Sequence, residues 1–132
     1  MWGISEMRVF LLIGIINGFL AVALGAFGTH GLEGKVSEDM LDIWDKAVNY
    51  QMFHTMAIMI TAILLSTIKS KSIISAGWLF ITGIILFSGS LYMYSTTGMK
   101  WLAMITPIGG VVFLAGWAIL GYAVVKWVGA KS

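Results

Sequence analysis

Long uncharged stretches dominate the chain. Between charged residues lie four apolar runs, at 9–32, 47–68, 72–99 and 101–125. Each run exceeds the roughly 20 residues that a helix needs to cross a ~30 Å hydrocarbon core. Helices and closed barrels alone satisfy the backbone in lipid, and the ~10-residue alternation of barrel strands is missing. The pattern predicts an all-α, single-domain integral membrane bundle, 1–132, with four transmembrane helices at about 9–29, 48–68, 73–95 and 102–125.

The polar segment after the first run has a helical period. Apolar residues recur on one face, namely Val36, Met40, Ile43, Trp44 and Ala47. Acidic and amide residues lie on the other face, namely Glu38, Asp42, Asp45 and Asn49. Ser37 is the expected N-cap, and the acidic residues that follow it in the first turn are favoured by the helix dipole. We therefore expect an amphipathic helix at about 37–47. It would lie on the membrane surface and bend or run into the second span.

The start of the fourth span has two interpretations. Proline is common at the first position of a helix, so the helix could begin near Pro107, with Thr106 as its N-cap and 101–105 as an interfacial stub. Alternatively, it begins at Trp101 and kinks at Pro107. The first interpretation is slightly favoured.

Composition supports a membrane protein and excludes several classes of site. The 132 residues are 59% hydrophobic and 11% charged, whereas an ordinary soluble domain is about a quarter charged. A net charge of +2 without a basic stripe gives no reason to expect a nucleic-acid partner. The chain has no cysteine, which excludes disulfides, thiolate zinc sites and iron–sulfur clusters.

Lys and Arg are distributed unevenly between the two sides of the predicted bundle. One side carries five of them and the other three, namely Arg8, Lys69, Lys71, Lys126 and Lys131 against Lys35, Lys46 and Lys100. The positive-inside rule therefore predicts that both termini are cytoplasmic and that the first loop lies outside.

Small residues in the spans indicate close helix packing. Gly14 and Gly18 form a GxxxG spacing in the first span, and Gly109, Gly110 and Gly116 lie in the fourth. Small residues let membrane helices approach each other closely. We expect these glycines to mediate packing within one chain or between copies in a homo-oligomer.

Polar side chains within the spans are the candidates for function, because they are costly in lipid. No carboxylate, Lys or Arg falls within a predicted span, which argues against ion-coupled transport. His30 ends the first span and His54 lies near the start of the second. In an antiparallel hairpin these positions lie at the same depth, so we expect the two histidines to approach each other at the outer interface.

Three interpretations of the histidines remain open. They could be structural, each satisfied by neighbouring helices. They could instead form a pocket for a lipid or another small molecule, whose candidate residues are His30, Tyr50, Gln51, His54, Ser88, Tyr92 and Trp117. Finally, two neutral imidazoles could bind a metal or haem. Two histidines without cysteine are a weak metal signal, and no cofactor is predicted.

Four motifs resemble the YwdK/YgdD family of small bacterial membrane proteins of unknown function, which has TMEM-type eukaryotic relatives. They are LGAFGTHGL (24–32), WDKAVNYQMFH (44–54), GWLFITGIILFSGSLY (77–92) and TPIGGVVFLAGW (106–117). Thr29 stands where the family usually has alanine. The resemblance implies a multi-pass bacterial plasma-membrane (inner-membrane) protein with four spans, and it brings no activity or cofactor.

The family motifs contain all of the candidate pocket residues above, Gly109 and Gly110, together with Ser90, Thr106 and Pro107. The resemblance therefore implies that these positions pack into one shared cluster. We expect a protein that is not an enzyme but binds a small molecule or lipid, or supports a membrane protein partner. The alternatives are an oligomeric channel or transporter and a redox protein with a histidine-ligated metal or haem.

Overall fold

The computed structural model describes residues 3–132 and is built from four helices. We number these helices α1 (Ile4–Leu32), α2 (Glu38–Leu64), α3 (Lys71–Thr97) and α4 (Thr106–Lys131). Each lies in a segment long and apolar enough to cross a membrane. Within residues 3–132 there is no β-strand. The predicted all-α bundle with four spanning helices is therefore confirmed.

The first loop is shorter than the sequence pattern suggests. Ser37 caps α2 as expected, because its hydroxyl accepts a hydrogen bond from the Met40 amide at 3.2 Å. From Glu38 the helix continues without a break to Leu64. The helix predicted at 37–47 therefore forms the first turns of α2 and runs directly into the second span, one of the two arrangements expected for it. Its position on the membrane surface stays a prediction. No glycine or proline occurs between 38 and 64, so nothing local ends the helix at the membrane surface.

The structure decides how the fourth helix begins. A 3₁₀ turn spans Lys100–Met104, and α4 starts at Thr106 with Pro107 in its first turn. The favoured interpretation, a short stub followed by a helix from Pro107, is therefore confirmed. Thr106 does not act as the N-cap. Its hydroxyl lies 2.6 Å from the hydroxyl of Ser90 on α3 instead.

The helices pack in sequence order, α1 chiefly against α2 and α4 chiefly against α3. The largest fully buried apolar side chains include Phe10 of α1, Ile58 of α2, and Ile73 and Phe80 of α3. Phe10 links α1 to α3, because its ring lies over Gly77 and meets the edge of Trp78. Outward-facing side chains such as Phe19, Val22 and Leu114 are apolar, as a surface in contact with lipid requires.

The predicted packing glycines fall into two groups. At Gly14, Gly109 and Gly116 a methyl group would collide with a neighbouring helix. At Gly18 and Gly110 it would make ordinary contacts, 3.8 Å from Thr55 and 3.9 Å from Phe87. Three further glycines allow close approach and were not predicted: Gly28 against Trp44, Gly77 against Phe10 and Gly83 against Phe113.

A π-helical turn at Ile84–Ser88 interrupts α3. Such turns insert one extra residue into a helix and occur often at functional sites. Here the turn lies directly against α4, where a methyl group at Gly109 would be 2.8 Å from the Phe87 Cα. Glycine at 109 therefore allows α4 to approach the π-helical turn.

We expect Gly109→Ala to destabilise the protein by ~1–3 kcal/mol, because the added methyl group meets backbone, which cannot rotate away. Gly110→Ala is the matched control, since its methyl group has room. Thermal unfolding in mild detergent, followed by tryptophan fluorescence, measures the difference. Equal midpoints for the two variants would show that the close contact at Gly109 is unimportant.

Candidate functional site

His54 is a buried polar side chain on α2, with only 3% of its surface exposed. Its Nε2 accepts a hydrogen bond at 3.1 Å from the indole N–H of Trp117 on α4. Its Nδ1 lies 2.9 Å from the carbonyl oxygen of Tyr50, one turn earlier. An indole can only donate and a carbonyl can only accept. These partners therefore require a neutral imidazole with its proton on Nδ1.

Aromatic rings enclose this imidazole. The Phe113 ring stacks on it with a centroid distance of 3.5 Å and an interplanar angle of 7°. Phe53 and Phe80 approach at 5.2 and 5.9 Å, and Tyr50 stacks at 6.2 Å. Both ring nitrogens are already hydrogen-bonded within the protein. His54 therefore offers a ligand the carbon atoms of its ring and no free hydrogen-bonding group.

A cleft of about 770 Å³ opens beside His54, between α2 and α4. This volume is within the range usual for small-molecule sites. Phe87, from the π-helical turn of α3, closes one side of the cleft. The lining contains no formally charged side chain and consists of Asn49, Tyr50, Phe53, His54, Phe87, Pro107, Gly110, Val111, Phe113, Leu114 and Trp117.

A smaller cavity of about 410 Å³ adjoins the cleft and shares Tyr50, Phe87 and Pro107 with it. It lies toward the beginnings of α2 and α4, where Lys46 and Thr106 line it. The two helices run in the same direction, because His54 meets Trp117 and Tyr50 meets Phe113 one turn earlier. Taken together, the two spaces extend from the His54–Trp117 pair in the cleft to Lys46 and Thr106 in the smaller cavity. We call these the deep end and the outer end of the site, because the second lies nearer the ends of the helices.

Gln51 belongs to a second polar cluster on a different face of α2. Its side-chain N–H donates to Asn17 Oδ1 on α1 at 3.1 Å. Its Oε1 accepts from the Tyr92 hydroxyl on α3 at 2.6 Å. Asn17 in turn donates to the Ile13 carbonyl at 3.0 Å. This cluster joins three helices and does not line the cleft.

Other hydrogen bonds between helices reach backbone carbonyls. The Trp44 indole donates to Leu24 at 2.8 Å, and the Ser88 hydroxyl donates to Ala47 at 2.8 Å. Among the residues that the structure describes, every buried side-chain nitrogen or oxygen has a hydrogen-bond partner. Such pairing is expected in lipid, where an unpaired polar group costs several kcal/mol.

The two histidines do not meet. Gly18 of α1 lies beside Thr55, the neighbour of His54, which places His54 level with the middle of α1. His30 lies in the π-helical turn Gly28–Leu32 at the end of α1, and it is exposed. The separation along the helix axis is ~18 Å at 1.5 Å per residue. The expected approach of the histidines is therefore wrong, because α2 begins at Glu38 and reaches His54 only after four turns.

The predicted pocket residues separate into three groups. Tyr50, His54 and Trp117 line the cleft. Hydrogen bonds between helices are made by Gln51, Tyr92 and Ser88. His30 is exposed at the end of α1 and lines neither cavity. Phe53, Phe87, Val111 and Leu114 were missed. Phe53 lies one turn from the exposed Asn49 on α2, a helical spacing that could have placed both on one face.

Metal ligation has little support from these side chains. Among residues 3–132 no group of three or more His, Cys, Asp or Glu side chains could hold a metal ion. At His54 a metal would have to displace the Trp117 indole from Nε2. His30 is too far away to share the ion.

The four spanning helices and the paired polar groups between them define an integral membrane protein. Residues 24–110 match the family described as "Protein of unknown function (DUF423)". The chain belongs to this family, which confirms the resemblance inferred from its motifs.

Relatives from two bacterial genera cover nearly the whole chain. The UPF0382 membrane protein SAB0533 of Staphylococcus aureus is 47% identical over 93% of this chain and 100% of its own length. The UPF0382 membrane protein YwdK of Bacillus subtilis is 46% identical over 92% of this chain and 99% of its own. No solved structure matches the chain.

We expect the Gln51 cluster to contribute to stability through paired interactions. Tyr92→Phe should cost ~1 kcal/mol, in the range of hydrogen bonds between membrane helices. Gln51→Leu should cost more, because it leaves both Asn17 and Tyr92 without their partner. In the Gln51→Leu background, Tyr92→Phe should have almost no effect.

Reversible unfolding in mixed micelles measures this cycle, and Tyr122→Phe on the outward face of α4 is the control. Additive effects of Gln51→Leu and Tyr92→Phe would contradict the coupling.

Proposed function

We propose that this protein binds the hydrocarbon chain of a membrane amphiphile in the cleft between α2 and α4. The observation that carries the proposal is the cleft itself, about 770 Å³ in volume and lined mainly by aromatic and aliphatic side chains. The binding role expected from the sequence is kept, but its site is moved from a His30–His54 pair to this cleft.

The chemistry of the deep end favours a hydrocarbon chain over a polar ring. The Trp117 N–H donates its hydrogen bond to His54 Nε2, and His54 Nδ1 is hydrogen-bonded to the Tyr50 carbonyl. A ligand with carbonyl or hydroxyl groups would find no free donor at these atoms, and burying an unpaired polar group is costly. A saturated chain needs no donor and gains contacts with the rings of Phe53, Phe87 and Phe113.

The length of the cleft supports binding rather than conduction by a single chain. Its lining on α4 extends from Pro107 to Trp117, which is ~15 Å at 1.5 Å per residue. That is about half of a ~30 Å hydrocarbon core. A cleft of this depth holds a chain from one leaflet.

The proposed location is the bacterial inner membrane, with both termini in the cytoplasm. The support is the excess of Lys and Arg on the side of the bundle that holds both termini and the connection between α2 and α3. In this orientation the outer end of the site, at Lys46 and Thr106 in the smaller cavity, faces the outer leaflet and takes its ligand from there.

Filling the cleft tests the proposed function. Gly110 lines it, whereas Gly121 lies on the same helix with no atom within 4 Å of an added methyl group. Gly110→Leu should therefore reduce the amount of bound lipid per chain about tenfold, the effect of ~1.4 kcal/mol. Gly121→Leu is the matched control, with the same change in side chain and helix propensity.

The measurement is native mass spectrometry of the protein released from nanodiscs, combined with lipid extraction and quantification. The wild-type protein and the Gly121→Leu variant should each retain one chain-bearing molecule. Equal retention by the Gly110→Leu variant would place the lipid elsewhere and overturn the proposal.

The orientation can be tested by labelling, because the chain has no cysteine of its own. Glu33→Cys lies in the first loop, and Ser132→Cys lies at the end of the chain. A membrane-impermeant maleimide should label Glu33→Cys in intact cells and label Ser132→Cys only after permeabilisation. The opposite pattern would place both termini outside.

A further inference from the structure

The smaller cavity makes the site asymmetric. It continues the cleft by one to two turns toward the beginnings of α2 and α4, and it ends beside the 3₁₀ turn Lys100–Met104. Tyr50 and Phe87 line both cavities, so one elongated molecule could occupy both. The combined site therefore joins an apolar deep end to an outer end close to the expected membrane interface.

Among residues 3–132, only Lys46 brings a formal charge to the lining of either cavity. Lys46 is exposed, and the hydroxyl-bearing Thr106 lines the same cavity. Lysine binds phosphate groups as a point charge. A long lysine side chain also extends readily along an apolar surface to an interface. The outer end of the site therefore complements a negative charge.

The nearest acidic residues along the chain do not share this position. Asp42 and Asp45 are exposed on α2, but neither lines the smaller cavity. They reduce the potential around Lys46 without giving the cavity a carboxylate of its own. In the described part of the chain, the lining of the smaller cavity thus includes a cationic side chain and no carboxylate.

We infer that the bound amphiphile has an anionic head group, held at Lys46, with its hydrocarbon chain directed toward the His54–Trp117 pair. This inference rests on the proposed function and adds to it the head-group class and the direction of the ligand. The inference is supported by the difference in polarity between the two ends of the site. The outer end has one positive charge, on Lys46, whereas the polar atoms at the deep end are hydrogen-bonded to each other.

Competition between two lipids tests the head group. Nanodiscs would contain phosphatidylglycerol and phosphatidylcholine in equal amounts and with identical acyl chains, and native mass spectrometry would count each lipid on the protein. A single lysine near the membrane surface changes the binding of an anionic lipid about fivefold. The wild-type protein should therefore retain phosphatidylglycerol about fivefold over phosphatidylcholine.

Lys46→Met removes the charge and keeps most of the aliphatic stem. It should bring the ratio near one while total lipid per chain stays the same. Lys100→Met is the matched control, because it removes the same charge near the same end of the bundle without lining either cavity. It should leave the ratio unchanged.

The outcomes separate the two levels of the proposal. No preference in the wild-type protein, or a preference that survives Lys46→Met, would overturn the anionic head group while chain binding stands. An equal loss of preference in Lys100→Met would show a general surface charge effect and would also overturn it. Loss of all lipid from the wild-type protein would overturn the proposed function itself.

Discussion

The structure depends on one constraint, that polar side chains within lipid must find partners on other helices. Gln51 shows this most clearly, because its amide bonds to Asn17 on α1 and to Tyr92 on α3. His54 and Trp117 satisfy the same constraint between α2 and α4. The hydrophobic effect does not distinguish one apolar neighbour from another in a bilayer. These bonds therefore specify which helix faces lie together.

The same constraint gives the cleft its character. α2 and α4 meet mainly through side chains, since the π-helical turn of α3 and Gly109 draw α4 against α3 instead. The space left between α2 and α4 is walled by rings, and its polar atoms at the deep end are paired with each other. Because the polar atoms of His54 and Trp117 are hydrogen-bonded to each other, these side chains offer a ligand mainly apolar ring atoms. His54, a candidate ligand-binding or metal-binding residue by sequence, thus forms part of the wall of the proposed hydrocarbon-chain site.

Sequence reasoning succeeded where local rules apply and failed where register mattered. The four spans, the Ser37 cap and the start of α4 near Pro107 follow from length, capping and the fixed φ of proline. Thr106 fits the same local pattern, yet its hydroxyl bonds to Ser90 on α3. The depth of His54 was misjudged because it depends on where α2 begins. Helical continuity through 37–47 shifts that beginning by about three turns.

The sequence by itself determined the membrane class, the number of spans and the family, because hydropathy over 20 residues and ordered motifs are properties of the chain alone. It also identified Tyr50, His54 and Trp117 as noteworthy side chains. Only the tertiary structure decided that these three share a cleft while Gln51 and Tyr92 lie in another cluster. Residues one turn apart on a helix can face different neighbours. Which neighbour each one meets depends on how separate helices align, and no local pattern encodes that alignment.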